Sequence, residues 1–323
     1  MAALLEPAPY LPPLELCDLH AVRAQDIEDL LAEESAFWRD TLAWDFSSSA
    51  SLVRKFIDIR ALSGFALLAA KKVVGYCYYV LEDHKGLIGD LYVLREYRTE
   101  QSQLNLLNAV VRDMVRAPFA HRIESQLMTF TAKIPVGDPR LRVFPRDFLA
   151  LRLPLETQLP ARELASRIIV SPWQDHHQEA AAQLIAGAYL GHVDSQINDQ
   201  YRSVAGARKF LYNIVQYPGC GNFFPAASLT AYDRESGMLA AICLASLVAN
   251  DSGHITQICA AQKFQGHGLG YELLRQSLDL LSRSGIERVS LTVTSSNAHA
   301  KALYERAGFR PIHQFSAYVW DGF

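Results

Sequence analysis

Apolar and polar positions alternate in two rhythms along the chain, and the order of those rhythms repeats. Residues 26–35 place apolar side chains at helical spacing behind an acidic first turn, which predicts a helix. Residues 65–70 and 73–82 are dense in β-branched, aromatic and small apolar residues on either side of Lys71-Lys72, which predicts a β-hairpin. A strand over 86–94 and an amphipathic helix over 102–115 follow. The later chain has the same order. Residues 228–233 and 238–248 flank the turn RESG as a hairpin, 254–261 form a strand, and 270–285 form a helix closed by Gly285.

The two series overlay at an offset of 167 residues. Ile88, Leu91, Val93 and Tyr97 fall on Ile255, Ile258, Ala260 and Phe264, and Leu106-Leu107 on Leu273-Leu274. An internal repeat of this length suggests two copies of one domain. The expected division is a loose arm over 1–13, a first domain over 14–150, a linker over 151–166 with two prolines, and a second domain over 167–323. Alternating helices and strands make the class α/β (α+β).

Composition narrows the function. Half of the 323 residues are hydrophobic and a fifth are charged, as in an ordinary globular protein with ample core. Lys+Arg number 31 against 34 Asp+Glu, with 18 and 21 up to residue 160 and 13 and 13 beyond. Neither part is basic enough to hold a polyanion by charge, so nucleic acid is not an expected partner. No apolar run reaches the ~18 residues a membrane helix needs, and the N-terminus lacks the basic start of a secretory signal. Five widely spaced cysteines with no CxxC pair read as reduced thiols of a cytoplasmic protein. His176-His177 has no carboxylate or cysteine at ligand spacing, so no metal is expected.

The most informative stretch is Gln265-Gly266-His267-Gly268-Leu269-Gly270, between a strand and a helix. Glycines here admit backbone angles closed to other residues, and the helix start offers free N–H groups to a phosphate or diphosphate. A dinucleotide loop needs GxGxxG, but Tyr271 stands where the third glycine should be. A P-loop needs GK[ST], which is missing. The stretch does match (Q/R)xxGx(G/A) through Gln265, Gly268 and Gly270. A second pattern, N-x-x-A-x-x-x-Y-x-x-x-G-F, follows through Asn297, Ala300, Tyr304, Gly308 and Phe309.

With both patterns in order, residues ~165–323 resemble the GCN5-related N-acetyltransferase (GNAT) superfamily. The resemblance implies two tandem GNAT-like domains, each a mixed, mostly antiparallel sheet with a splayed central parallel strand pair flanked by helices. It implies acetyl-CoA as cosubstrate, with its diphosphate on the loop Gln265, Gly266, His267, Gly268, Leu269 and Gly270. Ile258, Cys259 and Ala260 would bond the pantetheine arm through the backbone, with Asn297 and Ala300 beside it. Tyr304 would be the general acid that protonates the leaving thiolate.

The acceptor chemistry can be reasoned separately. An amine of pKa ~10.4 is almost wholly protonated at neutral pH, so a base or water chain must deprotonate it. Many members of the superfamily carry a glutamate on the strand before the loop. Here Gln257 stands there, able to orient a water or substrate but not to accept a proton. The other candidates are His192, Asp194, Asn198 and Asp199, after a helix over 178–190, with Asp194 the expected proton acceptor. These residue types also suit a capped, solvated turn. Cys259 invites a covalent reading, but nothing near it in sequence activates a thiolate. His254 and Asp251 read as loop residues at a strand start.

The first domain departs from the pattern. Arg98 keeps the first loop position, but Gln101 and Gln103 replace the glycines, Glu100 adds a negative charge, and no second signature follows. It reads as a degenerate copy. The expected activity is acetyl transfer from acetyl-CoA to an amine, on a small molecule or a protein, by direct attack in a ternary complex. The chain is expected as a monomer or weak homodimer. A non-catalytic acyl-CoA-binding or sensing protein is the alternative, and a tandem synthase acting on an amino-sugar thiol precursor is a third possibility.

Overall fold

The structure, a computed structural model, describes residues 12–135, 137–155, 158–217 and 219–323. Most of the expected arm over 1–13 therefore lies outside the described residues. The chain groups into two compact units. One holds the residues up to Ala36 together with Ala50–Arg142 and Tyr318–Phe323, and the other holds Phe37–Ser49 and Val143–Ala317.

The first unit carries β1 (Leu14–Asp18), α1 (Glu28–Leu42), α2 (Ser47–Asp58), β2 (Ser63–Ala69), β3 (Lys72–Glu82), β4 (Lys85–Val93), α3 (Glu100–Val115) and β5 (Arg122–Leu127). Residues Phe37–Leu42 of α1 and Ser47–Ser49 of α2 count with the second unit. Its strands lie in the order β1-β2-β3-β4-β5. The first four are antiparallel neighbours, whereas β4 and β5 run parallel, paired from Lys85–Ile88 to Arg122–Ser125. The expected β2–β3 hairpin turns at Ala70-Lys71, both at positive φ. Leu106, Leu107, Val110 and Met114 of α3 are buried against this sheet, as their spacing predicts. Glu34 is fully buried and accepts a 2.8 Å hydrogen bond from the hydroxyl of Tyr76.

The second unit carries β6 (Leu141–Arg152), β7 (Ile168–Pro172), α4 (Gln178–Ala188), α5 (Asp194–Ile197), α6 (Val204–Gln216), β8 (Asn222–Phe223), β9 (Leu229–Asp233), β10 (Leu239–Ala249), β11 (Ser252–Ala260), α7 (Leu269–Arg283), β12 (Arg288–Thr294), α8 (Ala298–Arg306) and β13 (Arg310–Asp321). Its strand order is β13-β6-β12-β11-β10-β9-β7, with β8 beside β10. One core gathers Leu273, Leu274, Leu278 and Leu281 of α7 with Val289, Leu291 and Val293 of β12 and with Phe309. A second packs Ala181, Ala182 and Ile185 of α4 and Leu211 of α6 against Ile242 and Leu244 of β10.

The observed units differ from the expected division. Residues 143–166 group with the second unit. Residues 141–152, which hold Pro145 and reach into the expected linker, form β6, whose residues 146–152 pair antiparallel with β12. Within the expected linker, Leu155, Leu159 and Leu164 pack on the second unit's core. Apolar leucines spaced between prolines carry no periodicity, so their burial could not be read from pattern alone. His254 is likewise not a loop residue. It lies inside β11, buried between Trp44 and Phe148, with Nδ1 2.9 Å from Ser290 Oγ.

Candidate active site

Parallel pairing of β11 with β12 spans only Ser252–His254 against Arg288–Ser290. Beyond it β11 continues to Ala260 and β12 to Thr294 without further pairing, so their facing backbone edges separate. β11 also bulges: Leu244 and Ala245 of β10 sit opposite Gln257 and Ile255, which leaves Thr256 as the extra residue. A bulge re-aims the side chains that follow it. Ile258, Cys259 and Ala260 form the end of this strand, partly buried and paired only to β10.

The loop after β11 closes on itself. The Gln265 amide donates to the Ala260 carbonyl at 3.2 Å, and His267 Nδ1 lies 2.8 Å from the Gln265 carbonyl. Gly266 and Gly268 have φ of 77° and 82°, where a side chain would be strained. Gly268 is the N-cap of α7 and offers no side chain to its amides. The first-turn N–H groups have no carbonyl within the helix to bond, which leaves them for an anion. Leu269 is buried in the core and holds the helix start in place. Gly270 has ordinary clearance to Leu303.

The corresponding stretch in the first unit is built differently. There Thr99 caps α3 with its hydroxyl, accepting from the Ser102 amide at 3.1 Å. Arg98 is spent on the Val93 carbonyl and the Tyr92 ring, and Gln103 is buried, accepting from Thr131 N at 2.9 Å.

Asn297 caps α8, its Oδ1 accepting from Ala300 N at 3.1 Å, while Nδ2 lies 3.2 Å from His192 Nε2. Ala300 packs on the core. Asp194 starts α5, and its carboxylate accepts from the Thr294 hydroxyl at the end of β12. His192 Nδ1 accepts from Asp194 N at 3.1 Å. The His192–Asp194 stretch is thus tied to the end of β12 and the start of α8, and Asp194 is only 16% exposed, so it is no solvated turn. Asn198 serves as a local cap for Gln200 N.

Tyr304 is buried on α8, and burial raises its phenol above the ordinary value, with Cys243, Asp194, Cys259 and Arg146 as its electrostatic neighbours. It therefore stays protonated and can donate. Gln257 is buried on β11, and its Nε2 has the soft Cys259 sulfur beside it but no oxygen acceptor. Such a donor is costly unless something accepts from it. Burial pushes the Cys259 thiol up to about 12, which disfavours a nucleophilic thiolate.

Three residues of this cluster were missed in the sequence. Arg146 on β6 is 9% exposed, with its guanidinium 3.7 Å from Asp194 and 3.3 Å from Thr292 Oγ1. Tyr189 and Tyr201 stack at 4.5 Å on the helical side. No motif marks Arg146; the tyrosines flank the polar cluster on both sides, which is the signal available. Among the described residues no group of His, Cys, Asp and Glu could hold a metal, and no helix is long and apolar enough to cross a membrane.

The chain is similar to known proteins in sequence and in fold. The family described as "Acetyltransferase (GNAT) family" matches residues 195–309. A mycothiol acetyltransferase of Beutenbergia cavernae is 34% identical over 96 residues, 30% of this chain and 32% of that protein. The [ribosomal protein bS18]-alanine N-acetyltransferase of Escherichia coli is 36% identical over 75 residues, 23% of this chain and 50% of that one. The chain thus spans between a third and a half of the length of these two relatives. A GCN5-related N-acetyltransferase from Sphaerobacter thermophilus has a similar fold, with TM-score 0.66, 16% identity and coverage of 97% of both chains. A tandem GNAT protein from the clavulanic acid biosynthesis pathway gives TM-score 0.58 at 16% identity over 96% of this chain and 98% of that one. The region that resembles the GNAT acetyltransferase family, residues 195–309, holds the splayed strand pair, the glycine turn and Tyr304.

Proposed function

We propose that the chain transfers an acetyl group from acetyl-CoA to an amine by direct attack in a ternary complex, in the second unit alone. The observation that carries this reading is the turn at Gly266 and Gly268. It presents uncapped helix amides after β11, whose end parts from β12 and carries Cys259, an electrostatic neighbour of Tyr304 together with Asp194.

The donor set fits the cosubstrate. First-turn amides of α7 suit a diphosphate. The unpaired edge of β11 at Ile258–Ala260 suits an amide-bearing arm, which would add hydrogen bonds like those of a strand. When bound, acetyl-CoA supplies an activated acyl group. Tyr304 donates its proton to the sulfur as negative charge builds there. Gln257 directs its Nε2 hydrogens at an oxygen of the reacting groups or of a water. Asp194 accepts the amine's proton by way of water, with Arg146 balancing its charge. The acceptor is an amine on a small molecule or a protein.

One feature favours an acyl-CoA-binding role without catalysis: the strand before the loop offers Gln257 where a carboxylate would be the direct base. The test is release of free CoA thiol from acetyl-CoA across a panel of amines and peptide N-termini. Amine-dependent release supports transfer. Tight binding of acetyl-CoA with no release for any amine supports the binding role.

A further inference from the structure

The segment before β7 crosses the start of α7. Tyr271 donates its hydroxyl to the Pro160 carbonyl at 3.0 Å, and Arg162 N donates to Glu272 Oε2 at 2.9 Å. Leu159 and Leu164 on either side anchor in the core. The Arg162 side chain then lies directly on Gly268: a Cβ built there would be 2.3 Å from Arg162 Nε and 2.4 Å from Cδ. The segment is thereby fixed by backbone and apolar contacts that do not use the guanidinium.

No other cation is committed to this turn. Gln265 spends its amide on Ala260, Lys263 lies over the Phe264 ring, and Arg275 is paired with Glu272 at 2.6 Å. Among the described residues, Arg162 has no carboxylate within ion-pair distance. An exposed arginine held on a glycine turn without an acid partner is arranged for an anion from outside the chain, because guanidinium forks match phosphate oxygens.

We propose that Arg162 is a cofactor-binding residue whose guanidinium contacts the diphosphate of acyl-CoA from the side opposite the α7 amides; this rests on the cofactor reading above. Amides alone orient a diphosphate but leave its charge unbalanced. Arg162 supplies a full positive charge to a loop that has none of its own, apart from what His267 can carry.

Calorimetry on the full chain tests this with CoA, 3′-dephospho-CoA and S-acetyl-pantetheine, which lacks phosphate. Arg162→Gln is expected to weaken CoA binding about tenfold or more, the weight of a charge-assisted contact. The same loss is expected with dephospho-CoA, none with S-acetyl-pantetheine, and a smaller gap from wild type at high salt. Arg162→Lys should fall between the two and carries the test if the Gln variant proves misfolded by its thermal midpoint. Equal CoA affinity in wild type and Arg162→Gln overturns the assignment, as does a loss that vanishes with dephospho-CoA. Wild-type protein that binds no CoA instead overturns the cofactor reading itself.

Discussion

The guanidinium of Arg146 on β6 faces the carboxylate of Asp194 at the start of α5 across 3.7 Å, with both side chains at least five-sixths buried. Asp194 is also bonded to Thr294, so its position is set from two strands. Asp194→Asn should lower kcat by roughly 10²–10⁴-fold, the weight of one general base, and leave acetyl-CoA affinity unchanged. Raising pH should partly rescue it, because more of the amine is already neutral. Arg146→Gln leaves Asp194 charged without its cation and should cost about 1–3 kcal/mol of stability. Steady-state kinetics from pH 6 to 10, with thermal midpoints, check both. An Asp194→Asn profile that matches wild type would move the base elsewhere.

Tyr304 makes a separable prediction. Burial holds it as a phenol, and in the proposed mechanism it acts as charge builds on sulfur. Tyr304→Phe should therefore reduce kcat by roughly 10²–10⁴-fold with little change in acetyl-CoA affinity. Its ring packs near Phe309 at 6.2 Å, a contact that phenylalanine preserves. A variant with normal kcat assigns Tyr304 to packing.

The buried imidazole of His254 is expected to govern acid stability. Burial first, then Arg146, pulls its pKa down to about 4, against ~6.5 in an unfolded chain. Between those values the unfolded chain holds the proton and the folded one does not. The stabilisation is complete above pH ~6.5 and is lost as pH falls towards 4, up to about 3 kcal/mol in all. Thermal midpoints from pH 7 to 4 should drop, and drop less in His254→Gln, which keeps a partner for Ser290. Equal slopes in the two proteins would exclude His254 as the cause.

Much of this arrangement was legible in the chain. The glycines of the loop and the second signature stand out in the chain because their backbone demands are local, and the structure keeps the strand–turn–helix order around them. The hairpins and both amphipathic helices follow from periodicity in the same way. What escaped depends on distant pairing. β6 carries Pro145 and Arg146 and takes its place as a strand between β13 and β12, partners far away in the sequence. The placement of Arg146 beside Asp194, 48 positions later, is set by that sheet and leaves no trace in spacing. His254 was misread because a single histidine at a strand end carries no sign of the Trp44 and Phe148 rings that bury it. At Arg98–Gln103 the substitutions at glycine positions are visible in the chain, whereas the bonds of Thr99 to Ser102 and of Gln103 to Thr131 are not.

Acyl-CoA is expected to bind once per chain, on the turn at Gly268. Calorimetric titration of the full chain with acetyl-CoA, for wild type and Gly268→Glu, tests it most directly. A glutamate there would combine strained φ, a clash with Arg162 and a negative charge at the diphosphate. The account predicts one site per chain in wild type and no measurable binding in the variant, with the helix at Arg98–Gln103 contributing nothing. Two equivalent sites, or binding that survives Gly268→Glu, would contradict it.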